Sequence, residues 1–243
     1  MKKVIALLAL FSVAVFAQNT FTDPRDGKKY KSVKIGKQTW MAQNLDYHGE
    51  DGFLGLCYGD QPRNKIKKPE NCQKYGRLYD WDEAIKACPK GWHLPTPQEW
   101  QTLMDFISDG GKAEEKVGMM GITELHLIYA AGKKLKSKSG WKEYDFSKNS
   151  PNNPKCKWTE IDNRGRGIER NECAMDEYGF SALPGGRGTP DGDFSSVGEA
   201  GYWWSNSGNG DNACQYWMHY AVEYVTWNYG GKSPLYSVRC LQD

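Results

Sequence analysis

Apolar residues recur at two periods along this chain, and the two periods mark its elements. From Tyr30 to Met41 they alternate: Val33 and Ile35 are separated by Ser32, Lys34 and Gly36. Alternation is the signature of a half-buried strand. Gly36-Lys37 interrupts it with glycine first, as a type II′ hairpin turn prefers, and Gln38-Thr39-Trp40-Met41 begins the return. Further on the period changes. Trp81, Ala84, Ile85 and Cys88 form one helical stripe behind a capping Asp80, and Pro89 stops it. Trp100, Leu103, Met104 and Ile107 form a second stripe. Thr96 and Glu99 supply its capping box, Pro97 takes the first helical position, and Gly110-Gly111 ends it. Residues 46–76 and 112–176 read as long polar loops, the second as an insertion. Strand-like pieces return at 179–187, 202–205, 215–227 and 236–240. Strands, two helices and strands again predict an α+β domain over 18–243.

The N-terminus changes the picture from shape to address. Met1-Lys2-Lys3 is basic, Val4 to Phe16 is uncharged, and Ala14 and Ala17 are small. That is the layout of a secretory signal peptide with cleavage after Ala17, and the run is shorter than the ~20 residues a bilayer span requires. The expected destination is the periplasm, the cell surface or the medium. Lys and Arg number 32 against 30 Asp and Glu, so charge nominates no nucleic acid. The clusters Arg63, Lys65, Lys67, Lys68 and Lys133, Lys134, Lys136, Lys138 read as solvated loops. Ten Trp, 14 Tyr and 8 Phe with 27 Gly predict a loop-rich fold built on flat side chains, with aromatics to spare for a binding face.

An exported chain meets oxidising conditions, so its seven cysteines are expected to pair. No close C-x-x-C or His-rich spacing points to zinc. Spacing alone does not choose among the pairings. Local spacing favours Cys57 with Cys72 and Cys156 with Cys173, each closing a polar loop. Cys88 with Cys240 would tie a helix end to the last strand, leaving Cys214 as a free, buried thiol.

The strings DGKKYKSVKIGKQTWMAQNLDY (26–47), YGRLYDWDEAIKACPKGWHLPTPQEWQTL (75–103), GFSALPGGR (179–187), YWWS (202–205) and YSVRC (236–240) resemble the Fibrobacter succinogenes major paralogous domain family. The resemblance implies an exported bacterial protein. It also implies a fold similar to the C-type lectin-like fold of the formylglycine-generating enzymes: two helices packed on a small twisted antiparallel sheet, loop-rich, disulfide-stapled, with terminal strands paired. Such folds often join the first helix to the last strand, which supports Cys88–Cys240. The resemblance assigns no activity.

Chemistry is scarce in the residues. A formylglycine-generating site needs two close reactive cysteines near the C-terminus, where only Cys214 and Cys240 lie. No G-x-S-x-G elbow starts a serine triad. Cys214 and His219 are five apart on an expected strand and face opposite sides. His93 reads as a hydrogen bond holding the helix–helix connection. Thirty acidic residues give no specific support to a glycosidase pair. Gln61-Pro62-Arg63 places a cation where a lectin calcium triplet needs an oxygen, so no cofactor is expected. Asp191-Gly192-Asp193 and Asn209-Gly210-Asp211-Asn212 are oxygen-rich loops that read as ordinary turns, with calcium binding as the alternative.

What remains is recognition. Tyr216, Met218, Tyr220, Val222 and Tyr224 would share one strand face, turned inward, with Trp217, His219, Ala221 and Glu223 on the other. Trp227, Asn228 and Tyr229, in a turn before Gly230-Gly231, and Arg187 are the expected ligand-facing residues. The expected function is non-catalytic recognition or adhesion, with glycan or polysaccharide as partner. An envelope protein-interaction module and an unrecognised enzyme are the alternatives.

Overall fold

The structure is a computed structural model that describes residues 18–108, 114–119, 122–142, 157–161, 167–171 and 174–243. The expected signal segment 1–17, Cys156 and Cys173 lie outside the described residues.

The chain opens with three antiparallel strands, β1 (Gln18–Thr22), β2 (Lys29–Ile35) and β3 (Gln38–Met41). Gly36 has φ +60° at the two-residue turn between β2 and β3, a conformation that a side chain would strain. The segment expected to be one long loop then folds into a 3-10 turn at Pro62–Asn64 and helix α1 (Pro69–Tyr75). Strand β4 (Leu78–Tyr79), helix α2 (Trp81–Ala87), strand β5 (Trp92–His93) and helix α3 (Pro97–Ile107) follow. Both expected caps are present, and each is a full capping box: Asp80 with Glu83, and Thr96 with Glu99. The α3 stripe is buried as its spacing predicts. In α2 the buried positions are Ala84 and Ala87, while Ile85 is exposed.

The span 112–176, expected as loops, carries β6 (Glu114–Met119), β7 (Ile122–Ile128), α4 (Ala131–Leu135), β8 (Lys157–Ile161) and β9 (Gly167–Asn171). The last third is almost all strand: β10 (Gly185–Gly188), β11 (Phe194–Val197), β12 (Ala200–Asn209), β13 (Asn212–His219), β14 (Val225–Gly231), β15 (Tyr236–Ser237) and β16 (Leu241–Gln242).

These strands build two large sheets. One has five strands in the order β1-β2-β3-β16-β5, so the C-terminal strand pairs with β3. The other has nine. Seven run β11-β10-β12-β13-β14-β7-β6, and β15 and β4 branch from β12. This overturns the expected two-helix C-type lectin-like fold on a small sheet. The protein is mostly β, and its helices are short pieces of 5 to 11 residues. The physical reason is the β12–β13–β14 meander. It offers two edges to pair on, β10 and β15 on the β12 side and the β6–β7 hairpin on the β14 side, so backbone groups find partners by widening the sheet.

Two apolar clusters hold the sheets and helices together. The first places Trp40, Trp100, Trp203 and Tyr216 between the five-stranded sheet, α3 and one face of the nine-stranded sheet. Trp100 stacks on Tyr216 at 4.6 Å. The second gathers Met41, Tyr79, Trp204 and Cys240 under α2. Cys57 is bonded to Cys72 and Cys88 to Cys240, and Cys214 is free and fully buried. Burial pushes the Cys214 thiol up to about 12, which makes it inert.

Lys136, expected on a solvated loop, is fully buried. Its ammonium donates to the carbonyls of His219 and Val222 and so closes the β13–β14 turn. Burial pulls it down to about 7. The turn also ends the expected inward face early: β13 stops at His219, so only Tyr216 and Met218 of that set lie on strand and point into the core.

His93 ties the C-terminus to the start of α3. Its Nδ1 lies 2.6 Å from Asp243 and its Nε2 2.9 Å from Glu99. Partial burial opposes its charge, but the hydrogen bonds to Asp243 and Glu99 outweigh that and hold its pKa above the ordinary histidine value. A raised folded pKa means stability that is fully present below the unfolded value and lost as pH rises through the folded one. Thermal midpoints measured from acid to mildly alkaline pH should therefore fall in that window. His93→Gln should remove that part of the slope; a variant with an unchanged profile would contradict the assignment.

Candidate functional site

The face of the nine-stranded sheet turned away from the first cluster carries the candidate site. Strand pairing places its side chains in a row. Ser195 of β11 lies opposite Arg187 of β10. Gly186 pairs with Gly201, which brings Arg187 beside Tyr202 of β12. Tyr202 lies opposite Trp217 of β13, and Trp217 opposite Thr226 of β14. Period-2 alternation keeps these side chains on one face. The Arg187 guanidinium sits 5.5 Å from the Tyr202 ring centre. Tyr202 stacks in turn on Trp217 at 6.4 Å and on Tyr236 at 5.2 Å.

Glycine makes the close approach of β10 feasible. Gly186 has φ +70°, and a Cβ there would lie 2.5 Å from the Ser195 carbonyl oxygen. Any larger residue would push β11 and β10 apart and move Arg187 off its ring.

Beside this row is an open cavity of about 200 Å³ lined by Arg187, Thr189, Asp193, Phe194, Ser195 and Pro234. Among the described residues no carboxylate lies within ion-pairing distance of Arg187. Its Nε donates to the Ser195 hydroxyl at 3.3 Å. Burial pushes the Tyr236 hydroxyl up to about 12, so it stays protonated. The 189–193 turn is pinned from outside by an exposed Arg63–Asp191 pair at 2.7 Å and by a backbone bond from Thr189 N to Asp193 O at 2.9 Å. The cavity thus presents one cation, one carboxylate, two hydroxyls and an aromatic ring on a braced turn.

The other expected ligand residues do not join Arg187. Trp227, Asn228 and Tyr229 lie on β14 rather than in a turn, three strand steps from β10, about 14 Å at ~4.8 Å per step. Trp227 is half-buried and stacks on His126 at 3.8 Å. Asn228 is buried and accepts from Gln215 at 2.8 Å. Tyr229 is exposed and bonds Ser207. Sequence reading missed Tyr202, Tyr236, Asp193 and Ser195. The one available signal was Gly185-Gly186-Arg187-Gly188, where glycines allow another backbone to approach a charged residue.

Asp191 and Asp193 stand in different roles, one paired to Arg63 and one on the cavity wall. Among the described residues no group of three or more His, Cys, Asp or Glu is placed to hold a metal ion. Among those residues no helix is long and apolar enough to cross a membrane. The disulfides are compatible with an extracellular protein.

Fold and site together define a disulfide-stapled, β-rich protein with an aromatic sheet face and a braced polar cavity. The chain belongs to the Fibrobacter succinogenes major domain family, whose model matches residues 33–242. Searches of curated proteins and of solved structures found no match.

Proposed function

We propose that the protein is an exported, non-catalytic recognition domain that binds a glycan or polysaccharide through the Arg187 cavity. The observation that carries this reading is the Arg187 guanidinium, with no carboxylate partner among the described residues, held over Tyr202 at the mouth of a hydroxyl-lined cavity. Sugar hydroxyls bond cations and carboxylates in pairs, while sugar C–H faces rest on the faces of aromatic rings. Asp193, Ser195 and Thr189 supply acceptors and donors, and Phe194 and Pro234 supply the apolar wall. The disulfides and the N-terminal pattern support export, to the periplasm, the cell surface or the medium.

The test is retention of the oxidised full chain on a panel of polysaccharides, including cellulose, xylan, pectin and peptidoglycan. At least one polymer should retain it. Arg187→Ala, at an exposed position, should keep the fold by circular dichroism yet lose about tenfold or more in affinity, as truncating an anchoring arginine does. Absence of retention by every polymer would overturn the reading, as would full retention by the variant.

A further inference from the structure

A second cavity of about 200 Å³ opens next to the first. Phe53, Pro62, Pro190 and Leu235 form its apolar walls, and Asp80 and Glu83 stand at its polar side. Pro190 directly follows Thr189, and Leu235 directly follows Pro234, both of which line the Arg187 cavity. Gly188 and Leu235 exchange backbone hydrogen bonds of 3.0 and 2.8 Å at this point. The two cavities therefore lie on either side of a single backbone rung.

Phe53 stands out among the apolar side chains. It is 81% exposed, the most exposed of the large hydrophobics described. What gives its exposure meaning is its place, on the wall of the cavity. The ring is not on a loose tip. Phe53 N donates to Asp51 at 3.1 Å, and Leu54 N to the His48 carbonyl at 2.9 Å. Gly55 is gripped from both sides: its N–H donates to Glu83 at 3.2 Å, and its carbonyl accepts from Arg77 at 3.1 Å. Gly52 and Gly55 take left-handed backbone, and a Cβ on Gly55 would lie 2.8 Å from the Tyr79 ring. The turn thus holds an aromatic face out to solvent at the edge of a cavity that also offers carboxylates.

We infer that the Phe53 cavity is a second subsite for the same ligand, so that the protein takes a chain of several sugar units rather than a single sugar. This rests on the recognition reading above. Units near Arg187 would engage the cation and hydroxyls. Units further along would cross the Gly188–Leu235 rung, rest a ring on Phe53 and offer hydroxyls to Asp80 and Glu83. The occupant is the continuation of one polymer, because the cavities adjoin and share the same polar-and-aromatic chemistry.

The experiment is titration calorimetry of the full chain with oligosaccharides of increasing length, cut from whichever polymer in the panel is retained. Affinity should rise with length and then level off once both cavities are covered. Phe53→Ala, at a largely solvated ring, should weaken the long oligosaccharides about tenfold and leave the shortest unchanged. Arg187→Ala should weaken all lengths. Equal affinity of parent and Phe53→Ala for the long chains would overturn the second subsite while leaving the Arg187 reading intact. Equal weakening at every length would overturn it too, because Phe53 would then belong to the first subsite. Absence of binding to any polymer would overturn both readings together.

Discussion

Asn44→Ala is expected to destabilise the protein by about 3–5 kcal/mol, read as a fall in the urea midpoint with an unchanged slope. Asn44 is a buried hub. Its carbonyl oxygen accepts from Trp203 Nε1 at 2.9 Å and from Arg239 at 2.7 and 3.2 Å. Its amide donates to the Tyr75 carbonyl at 2.8 Å and to Ser237 at 3.2 Å. Arg239 is fully buried, and burial pulls its pKa down to about 9, against the attraction of Asp176. The guanidinium bonds the carbonyls of Phe180 and Ser181 and lies over the Phe180 ring at 4.4 Å. Removing Asn44 leaves a buried cation and an indole N–H without their shared acceptor. Desolvated groups left in that state cost far more than the bond itself yields. Asn44→Asp would restore an acceptor for Arg239 but lose both donors, so it should fall between the parent and the alanine variant. A midpoint for Asn44→Ala within error of the parent would show that water reaches the hub.

Cys88→Ala/Cys240→Ala is expected to cost about 4 kcal/mol, roughly 8–16 °C in thermal midpoint for a chain of this size. The bond closes a separation of 152 residues, for which the chain-entropy relation gives about 5 kcal/mol at most. It joins the end of α2 to the segment between β15 and β16. That segment is also held by the backbone: Met41 donates to the Cys240 carbonyl at 3.0 Å and Leu45 to that of Val238 at 2.9 Å. Those bonds remain in the variant, so the native fold should persist with lower stability. The Cys57–Cys72 bond spans only 15 residues, and its loss should cost less, about 3 kcal/mol. If the two losses proved equal, loop length would not be the governing term.

The candidate site was only partly legible. Arg187, one of the expected ligand-facing residues, lies on the cavity wall. Its companions come from Tyr202, Asp193 and Tyr236, which meet it through strand pairing that spacing does not encode. Trp227 and Asn228 were singled out for their composition alone. An aromatic followed by an amide before two glycines fits an exposed turn, but both lie on β14, where alternation packs Trp227 against the first cluster and leaves Asn228 on the opposite face, buried beside Gln215.

By itself, the sequence determined what is local. The two capping boxes, the α3 stripe and the Gly36 turn each depend on residues within a few positions of one another, and neighbours along a chain meet whatever the rest does. Family membership was legible for the same reason, as strings of adjacent residues. Tertiary structure decided the size of the sheets, the burial of Lys136, the Asn44–Arg239 hub and the cavity beside Arg187. Asn44 and Arg239 are 195 positions apart, and strands β10 and β12 become neighbours only when Gly186 meets Gly201. Such partners are selected by the free energy of the whole packed arrangement, in which a buried cation finds its acceptors or is excluded. No local pattern records that choice.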